Sequence, residues 1–200
     1  VYESNSYSLS AALKLEGIVQ VKIFQADDEL SILTSVLQTA LKDSDVVLLT
    51  GGVSVGDYDF VIEASRRCDV EEVFHKVKQK PGKPLFFGKK DRQLIFGLPG
   101  NPSSVLSCYY NYVLPAINQL AQKENAVKEI NAVLTTAYQK PAGLTHFLKG
   151  SYVDGKVSLL SAQESFRLSS FAQANCLICL NEIQEFFSAG DMVKVMLLPI

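Results

Sequence analysis

The sequence contains no tryptophan, and only two methionines, two histidines and four cysteines among its 200 residues. So few metal-ligating side chains leave little material for a metal cluster, and a chain of this length does not need disulfides. We therefore expect four reduced thiols in a cytoplasmic protein. Charge of one sign is also missing, since the formal net charge is −2 and the pI is near 5.7. This balance gives no reason to expect nucleic acid or an anionic membrane as a partner.

Long hydrophobic runs are absent as well. No stretch approaches the roughly 18 uninterrupted apolar residues of a membrane span, and the first residues lack the pattern of a signal peptide. We therefore expect no membrane partner. The fractions of apolar residues (48%) and charged residues (20%) are instead typical of globular domains.

The first half of the chain alternates between helical and strand patterns. Apolar residues at helical spacing predict helices over residues 4–15, from about residue 30 to Leu41, over residues 60–68 and from Pro102 to a break or kink near Pro115. Strands are predicted at Ile18–Phe24, Asp45–Thr50, Pro84–Phe87 and Gln93–Phe96. This alternation predicts an α/β domain with a parallel sheet.

Beyond about residue 128 the pattern changes to short strands. The pair Asp154-Gly155 between two alternating runs predicts a hairpin, and a final strand is expected from Met192 to Leu198. Cys176 and Cys179 lie three apart in a strand-like run, so their sulfurs would point to opposite faces and could not share a metal. We expect a separate β barrel or sandwich here.

Two predicted strands end in glycine-rich loops that lead into helices. The first loop is Gly51-Gly52-Val53-Ser54-Val55-Gly56, and the second is Gly97-Leu98-Pro99-Gly100-Asn101-Pro102. Glycine lets the backbone present bare N–H groups, and the start of a helix favours negative charge. Because ligands of parallel α/β sheets bind beyond the carboxyl ends of the strands, both loops are candidates for one anion site.

Charged residues complete this candidate site. Lys80 and Lys83 flank the stiff turn Pro81-Gly82, and Asp57 and Asp59 follow the first glycine loop. The lysines suit phosphates and the carboxylates suit a divalent cation, so together these residues predict a phosphorylated ligand bound with Mg²⁺. Taken singly, the lysines could form a solvated turn and the aspartates could cap a helix.

Four motifs, in this order, resemble the MoeA / gephyrin E-domain family of molybdopterin molybdenumtransferases. They are Tyr2-Glu3-Ser4-Asn5-Ser6, Thr50 to Asp59, Lys80-Pro81-Gly82-Lys83-Pro84 and Gly97 to Pro102. The resemblance implies a three-layer, MogA-like molybdopterin-binding α/β domain with a mostly parallel sheet over residues 1–122, and a small all-β barrel over residues 128–200. It also implies a homodimer.

The resemblance further implies insertion of molybdate into adenylylated molybdopterin, with Mg²⁺-assisted release of AMP. Asp59 matches the family's catalytic and metal-contacting acid, and Lys80 and Lys83 match its basic catalytic loop. The implied cofactor-binding residues are Asn5, Gly51, Gly52, Ser54, Gly56, Gly100, Asn101 and Ser103.

Three departures from the family pattern stand out. Glu3 stands where Asp is common, and Gln163-Glu164-Ser165 replaces a Gln-Gly-Ser stretch. The first strand of the family's α/β domain and its preceding subdomains have no counterpart, so we expect this chain alone to be inactive.

Two other functions stay open. An adenylyltransferase of molybdopterin shares the α/β fold, but it typically has a Thr-Gly-Gly-Thr-Gly loop and no β domain. A gephyrin-like scaffold could use exposed aromatics such as Phe186-Phe187 to bind a peptide, although such aromatics more often pack in a core or a dimer.

Overall fold

The computed structural model describes residues 3–52 and 60–199 and divides the chain into two compact units. The first unit comprises Val1–Val77 and Pro84–Asn101, and the second comprises Lys78–Lys83 and Pro102–Ile200. The division therefore falls earlier in the chain than the domain boundary that we expected between residues 122 and 128. It places the short segment around Lys80 in the second unit.

The described part of the first unit contains three helices and a four-stranded sheet. The helices are α1 (Asn5–Leu15), α2 (Leu30–Lys42) and α3 (Phe60–Arg67). The strands are β1 (Val46–Thr50), β2 (Glu71–His75), β4 (Phe86–Lys90) and β5 (Gln93–Leu98), in the order β1-β5-β4-β2. Apolar faces of α2 and α3 pack on β1, β4 and β5 through Leu37, Ala64, Val47, Phe86 and Ile95. Most of the predicted helices and strands are therefore present.

The sheet differs from the mostly parallel one that we expected. Among the described strands, β1 pairs with β5 in parallel, whereas β5–β4 and β4–β2 are antiparallel. The reason lies in the connection between β4 and β5, where Lys90 pairs with Gln93 across a two-residue turn. A parallel crossover needs a dozen or more residues, so this turn permits only a hairpin.

The predicted strand at Ile18–Phe24 is wrong. These residues form no strand within the described part of the chain, and the side chains of Val19 and Ile23 are 74% and 62% exposed. Their β-branched composition favours extended backbone, but a strand exists only where a neighbour completes its hydrogen bonds.

The second unit begins with β3 (Gln79–Lys80) and continues with a long helix that contains a π turn. This helix consists of α4 (Pro102–Cys108), the π-helical turn (Tyr109–Val113) and α5 (Leu114–Leu120). Pro115, the second residue of α5, has no N–H to donate to the preceding turn, and a π turn is one way to accommodate that loss. The predicted break near Pro115 is therefore wrong, because the helix runs on through Pro115 to Leu120 with a π turn before the proline.

The remaining strands of the second unit close into a small barrel. They are β6 (Lys128–Leu134), β8 (Thr145–Val153), β9 (Lys156–Leu159), β10 (Cys176–Leu180) and β12 (Met192–Leu197), with a separate pair β7 (Tyr138–Gln139) and β11 (Phe186–Phe187). The strand order is β10-β12-β6-β9-β8, and pairing of β10 with β8 closes the ring. The predicted β barrel is therefore confirmed.

The barrel interior is apolar, as the alternating pattern predicts. Leu134, Val157, Ile178 and Val195 are fully buried, and Asp154-Gly155 forms the predicted hairpin turn, with positive φ at both residues. Positive φ at two successive turn residues matches the right-handed twist of the flanking strands. No helix in the described residues is long and apolar enough to cross a membrane.

Candidate functional site

In the first unit, the start of α1 meets the two glycine loops. The Asn5 amide donates a hydrogen bond to the Gly100 carbonyl with an Nδ2–O distance of 2.9 Å. A Cβ added at Gly100 would lie 3.9 Å from the Cα of Gly51, so the two loops approach backbone to backbone. The structure thus brings together three of the predicted site residues that lie far apart in the sequence.

Gly51 and Gly52 turn the chain away from β1. Both have positive φ (77° and 69°), which side chains other than glycine rarely adopt. A Cβ at Gly52 would also lie 3.4 Å from Val61 of α3. Asn101 ends the second loop and is exposed. Ser54, Gly56 and Asp59 lie outside the described residues.

Asn5 carries a second group of interest. Its Oδ1 is buried and accepts no hydrogen bond within the described part of the chain. Buried polar atoms are nearly always paired, so this oxygen is available to a ligand or an ion. Glu3 does not supply that partner: its carboxylate accepts hydrogen bonds from the backbone and hydroxyl of Ser6, and the Ser6 hydroxyl lowers the pKa of Glu3.

In the second unit, Lys80 and Lys83 are exposed at the two ends of a braced loop. Gln79, only 2% exposed, donates from Nε2 to the carbonyls of Pro81 and Gly82 at 3.0 and 3.2 Å. The Tyr112 hydroxyl in turn donates to Oε1 of Gln79. The loop therefore has a braced backbone and carries two exposed lysines.

Cys108 lies under the same loop. Gln79 Nε2 is 3.6 Å from its sulfur, and burial raises the pKa of the Cys108 thiol to about 12. This thiol is therefore protonated at neutral pH and packs as an apolar group.

Ser103, a predicted ligand residue, is anchored inside the second unit. Its backbone N–H donates to the Ser165 carbonyl at 3.0 Å, and its hydroxyl accepts a hydrogen bond from Lys149 Nζ at 3.0 Å. Ser103 is 1% exposed, and its hydroxyl keeps a hydrogen that it can donate in turn.

Lys149 is a buried ammonium that the sequence analysis missed. It is 3% exposed and donates to the carbonyls of Ala162 (2.9 Å) and Arg167 (3.4 Å) as well as to Ser103. Its Nζ also lies 5.6 Å from the ring centre of Phe171. Burial lowers the pKa of Lys149, whereas the charge of Glu164 raises it. Lys149 thereby ties the loop of residues 162–171 to the first turn of α4.

The segment Gln163-Glu164-Ser165 makes hydrogen bonds to both Lys149 and Ser103. The Gln163 amide oxygen accepts from the Lys149 N–H at 3.0 Å, and its Nε2 donates back to the Lys149 carbonyl at 2.8 Å. The backbone carbonyl of Ser165 holds Ser103. The departure from the family pattern at Glu164 therefore leaves these two contacts in place.

The sequence analysis assigned no structural role to four buried polar side chains. They are Gln79, Lys140, His146 and Lys149. Each lies in or beside a strand, where a single polar residue in the sequence suggests a side chain that faces solvent. Only the burial of its side chain, between 2% and 4% exposed, reveals its role. The local sequence contains no signal that distinguishes these lysines from exposed ones.

The family implies Mg²⁺, and the described residues fit it in part. They contain no cluster of three or more His, Cys, Asp or Glu side chains that could hold a metal. Mg²⁺, however, commonly takes only one or two carboxylates together with substrate phosphates and water. The unpartnered Oδ1 of Asn5 is an oxygen ligand of the required kind.

Comparisons with known proteins agree with this arrangement. A family described as "Probable molybdopterin binding domain" matches residues 1–119, and "MoeA C-terminal region (domain IV)" matches residues 131–198. The molybdopterin molybdenumtransferase of Staphylococcus epidermidis is 32% identical and that of Haemophilus influenzae 30%, each over 98% of this chain. These matches cover 48% and 50% of the two relatives, so the chain spans about half their length.

Solved structures support the same relationship. A molybdenum cofactor biosynthesis protein from Pyrococcus furiosus is 25% identical, with a TM-score of 0.79 over 98% of this chain and 64% of its own. The molybdopterin biosynthesis MoeA protein from Pyrococcus horikoshii shares the fold, with a TM-score of 0.81 over 98% of this chain and 48% of its own. The chain therefore belongs to the molybdopterin-binding domain family and carries the C-terminal region of MoeA proteins.

Proposed function

We propose that this chain forms the molybdopterin-binding and C-terminal parts of a molybdopterin molybdenumtransferase. In that reaction molybdate is inserted into adenylylated molybdopterin, and cleavage of the pyrophosphate link releases AMP. The observation that carries the proposal is the meeting of Asn5, Gly51 and Gly100 at the ends of two sheet strands. The relatives named as molybdenumtransferases supply its chemical identity.

The loops suit the phosphate groups of such a ligand. The close approach of Gly51 to Gly100 leaves no side chain between their backbones, so main-chain N–H groups can contact an anion directly. Asn5 fixes the second loop through Gly100 and keeps an amide oxygen that accepts no hydrogen bond from the described residues. We assign ligand binding to these three residues together with Gly52, Ser54, Gly56, Asn101 and Ser103.

Charged groups take the catalytic roles in this proposal. Lys80 and Lys83 attract the anionic substrates from a loop that Gln79 holds still. Asp59 and the Asn5 oxygen would hold Mg²⁺, which supplies positive charge against the pyrophosphate when bound. Catalysis then depends on positioning and electrostatics rather than on a protein nucleophile.

We further propose that the protein is a cytoplasmic homodimer. Each chain has an α/β subdomain at residues 1–122 and a barrel subdomain at residues 128–200. We also propose that the isolated chain binds ligand but does not turn over, because it spans about half of its relatives.

A titration distinguishes this function from adenylylation of molybdopterin by ATP. The chain is titrated with adenylylated molybdopterin and, separately, with ATP, each with and without Mg²⁺ and molybdate. We expect binding of adenylylated molybdopterin and little affinity for ATP alone. The sequence Val53-Ser54-Val55 in the first loop and the presence of a barrel favour this outcome. Tight binding of ATP with no effect of molybdate would instead support the adenylyltransferase.

A further inference from the structure

We propose that Phe166 and Glu164 form a subsite for the pterin ring system of the ligand. The ring of Phe166 stacks on one face of the pterin, and the Glu164 carboxylate accepts hydrogen bonds from its aminopyrimidinone edge. The inference rests on the proposed function in taking a molybdopterin ligand, and it concerns the part of that ligand that carries no phosphate. Both residues lie in the second compact unit.

Phe166 is 64% exposed, although the loop that carries it is tightly held. Lys149 Nζ donates to the carbonyls of Ala162 and Arg167. The Ser170 hydroxyl lies 2.9 and 3.1 Å from the same two carbonyl oxygens. The exposed ring therefore belongs to a braced loop, so a ligand that stacks on it has little backbone to order.

The same loop lies beside Ser103, one of the residues that we assign to the ligand. The Ser103 N–H donates to the Ser165 carbonyl at 3.0 Å. Phe166 follows Ser165 directly in the chain, and consecutive Cα atoms are about 3.8 Å apart. The aromatic side chain is therefore carried close to the start of α4 rather than on a remote surface.

The other aromatic rings of this region already have partners. Phe171 stacks on Tyr110 with ring centroids 6.2 Å apart, and the Lys149 ammonium lies 5.6 Å from the Phe171 centroid. Within the described part of the chain, Phe166 has no stacking or cation partner of this kind. Since aromatic rings gain from offset stacking, Phe166 offers an unused platform for a flat heterocycle.

Glu164 supplies a polar group in the same turn. The Arg167 N–H donates to the Glu164 carbonyl at 3.0 Å, so residues 164–167 form one turn that includes Phe166. The Glu164 side chain is 47% exposed, and one of its oxygens lies 3.5 Å from Arg167 Nε. A carboxylate accepts up to about four hydrogen bonds, so acceptor capacity remains beside this ion pair.

Position 164 is also where this chain departs from the Gln-Gly-Ser pattern of the family. A glycine has no side chain with which to contact a ligand, whereas Glu164 adds a carboxylate two residues before the exposed ring of Phe166. The departure therefore places a flat apolar surface and a hydrogen-bond acceptor in one turn.

The ligand contains two flat ring systems, a pterin and an adenine. The aminopyrimidinone edge of the pterin has two neighbouring N–H donors, which match the two oxygens of a carboxylate. Adenine instead presents an amino donor beside a ring nitrogen that accepts, and this nitrogen would face the negative charge. Glu164 therefore favours the pterin, whereas Phe166 alone could stack on either ring.

Calorimetric titrations with 6-hydroxymethylpterin, AMP and adenylylated molybdopterin test the stacking. Phe166→Leu keeps an apolar side chain but removes the ring, and it should weaken binding of the two pterin compounds by about two- to tenfold. Affinity for AMP should not change. Phe186→Leu is the matched control, because Phe186 is 55% exposed in the same unit, and it should leave all three affinities unchanged.

Variants of Glu164 test the edge contact. Glu164→Gln keeps the size of the side chain but removes its charge, and it should weaken binding of hydroxymethylpterin several-fold while leaving AMP unaffected. Glu164→Gly, which restores the family pattern, should have the same effect. Both positions are exposed, and urea denaturation checks that each variant remains as stable as the wild-type chain.

The lack of tryptophan allows a direct test of ring contact. Phe166→Trp introduces the single tryptophan of the chain. Stacking on a pterin should lower the amplitude of its fluorescence at an unchanged lifetime, because a contact complex does not emit, whereas energy transfer to a distant pterin shortens the lifetime. Phe186→Trp should show no loss of amplitude at an unchanged lifetime.

The outcomes separate this inference from the proposed function. Equal affinity of the wild-type chain and Phe166→Leu for hydroxymethylpterin overturns the subsite, as does no measurable binding to the wild-type chain. An equal loss of affinity for AMP also overturns it, since adenine would then lie on Phe166. Binding of adenylylated molybdopterin can persist in each of these cases. Conversely, a Phe166-dependent affinity for hydroxymethylpterin supports the subsite even if the transferase assay fails.

Discussion

Replacing Gln79 by methionine removes one buried amide while keeping a side chain of similar length. Three groups then lose a hydrogen bond, namely the carbonyls of Pro81 and Gly82 and the hydroxyl of Tyr112, and the Gly82 carbonyl keeps only a weak one from the Cys108 thiol at 3.9 Å. Each buried polar group left unpaired costs about 1–3 kcal/mol. Pro81 and Tyr112 are half-buried and can regain water in part, whereas Gly82 is buried. We therefore expect the free energy of unfolding to fall by about 2–3 kcal/mol.

Urea denaturation of the wild-type chain and the variant measures this loss. A double-mutant cycle of Gln79→Met with Tyr112→Phe should give a coupling energy of about 1 kcal/mol, because the two side chains share one hydrogen bond. Gln173→Met changes an exposed glutamine in the same unit and should stay within about 0.5 kcal/mol of wild type.

The same variant should also weaken oxyanion binding near Lys80. If Gln79 braces the loop, its loss lets Lys80 and Lys83 sample more positions, and the ordering cost on binding rises. Binding of molybdate to the folded variant should then need a several-fold higher concentration than binding to the wild-type chain, as parallel titrations can measure. A variant with wild-type stability and a wild-type molybdate titration would refute the reasoning that Gln79 positions the loop.

Four further outcomes are expected. Asp59→Asn in the full-length transferase should lower molybdate-dependent AMP release about a hundredfold or more with the fold intact, because a neutral amide cannot replace a carboxylate at Mg²⁺. Wild-type turnover in this variant would instead show that Asp59 only caps a helix. Lys80→Ala combined with Lys83→Ala should weaken binding of the anionic ligands, and the difference from wild type should shrink at high salt, as ligand titrations at two ionic strengths can check. Lys149→Met should lower the free energy of unfolding by about 1–3 kcal/mol, measured in urea, since Ser103 and two carbonyls lose a charged donor, while Lys149→Arg should recover part of the loss. The isolated chain should unfold cooperatively but release no AMP beside the full-length enzyme, and comparable rates would contradict this.

Much of the local structure could be predicted from short-range patterns. Apolar residues at helical spacing predicted α1 and α2, which span Asn5–Leu15 and Leu30–Lys42. The pair Asp154-Gly155 predicted its hairpin, because few residues other than Asp, Asn and Gly adopt positive φ there. These features depend on neighbours in sequence, so the sequence alone was sufficient.

Part of the candidate site was predictable for a similar reason. Glycine pairs at the ends of strands indicate a backbone that must turn sharply, and Gly51 and Gly52 do so with positive φ. The order of the four motifs also identified the family, which the family matches confirm. The roles of Asp59, Lys80 and Lys83 stay predictions.

Only the tertiary structure decided the features that depend on distant partners. The run Ile18–Phe24 has the composition of a strand, yet pairing with a neighbour decides whether it becomes one. The direction of β4 follows from its two-residue connection to β5 rather than from either strand's composition. Similarly, Gln79 and Lys149 look like ordinary surface residues in the sequence. Their polar side chains are buried away from water. Hydrogen bonds to residues 29 and 46 positions away in the sequence take the place of hydrogen bonds to water.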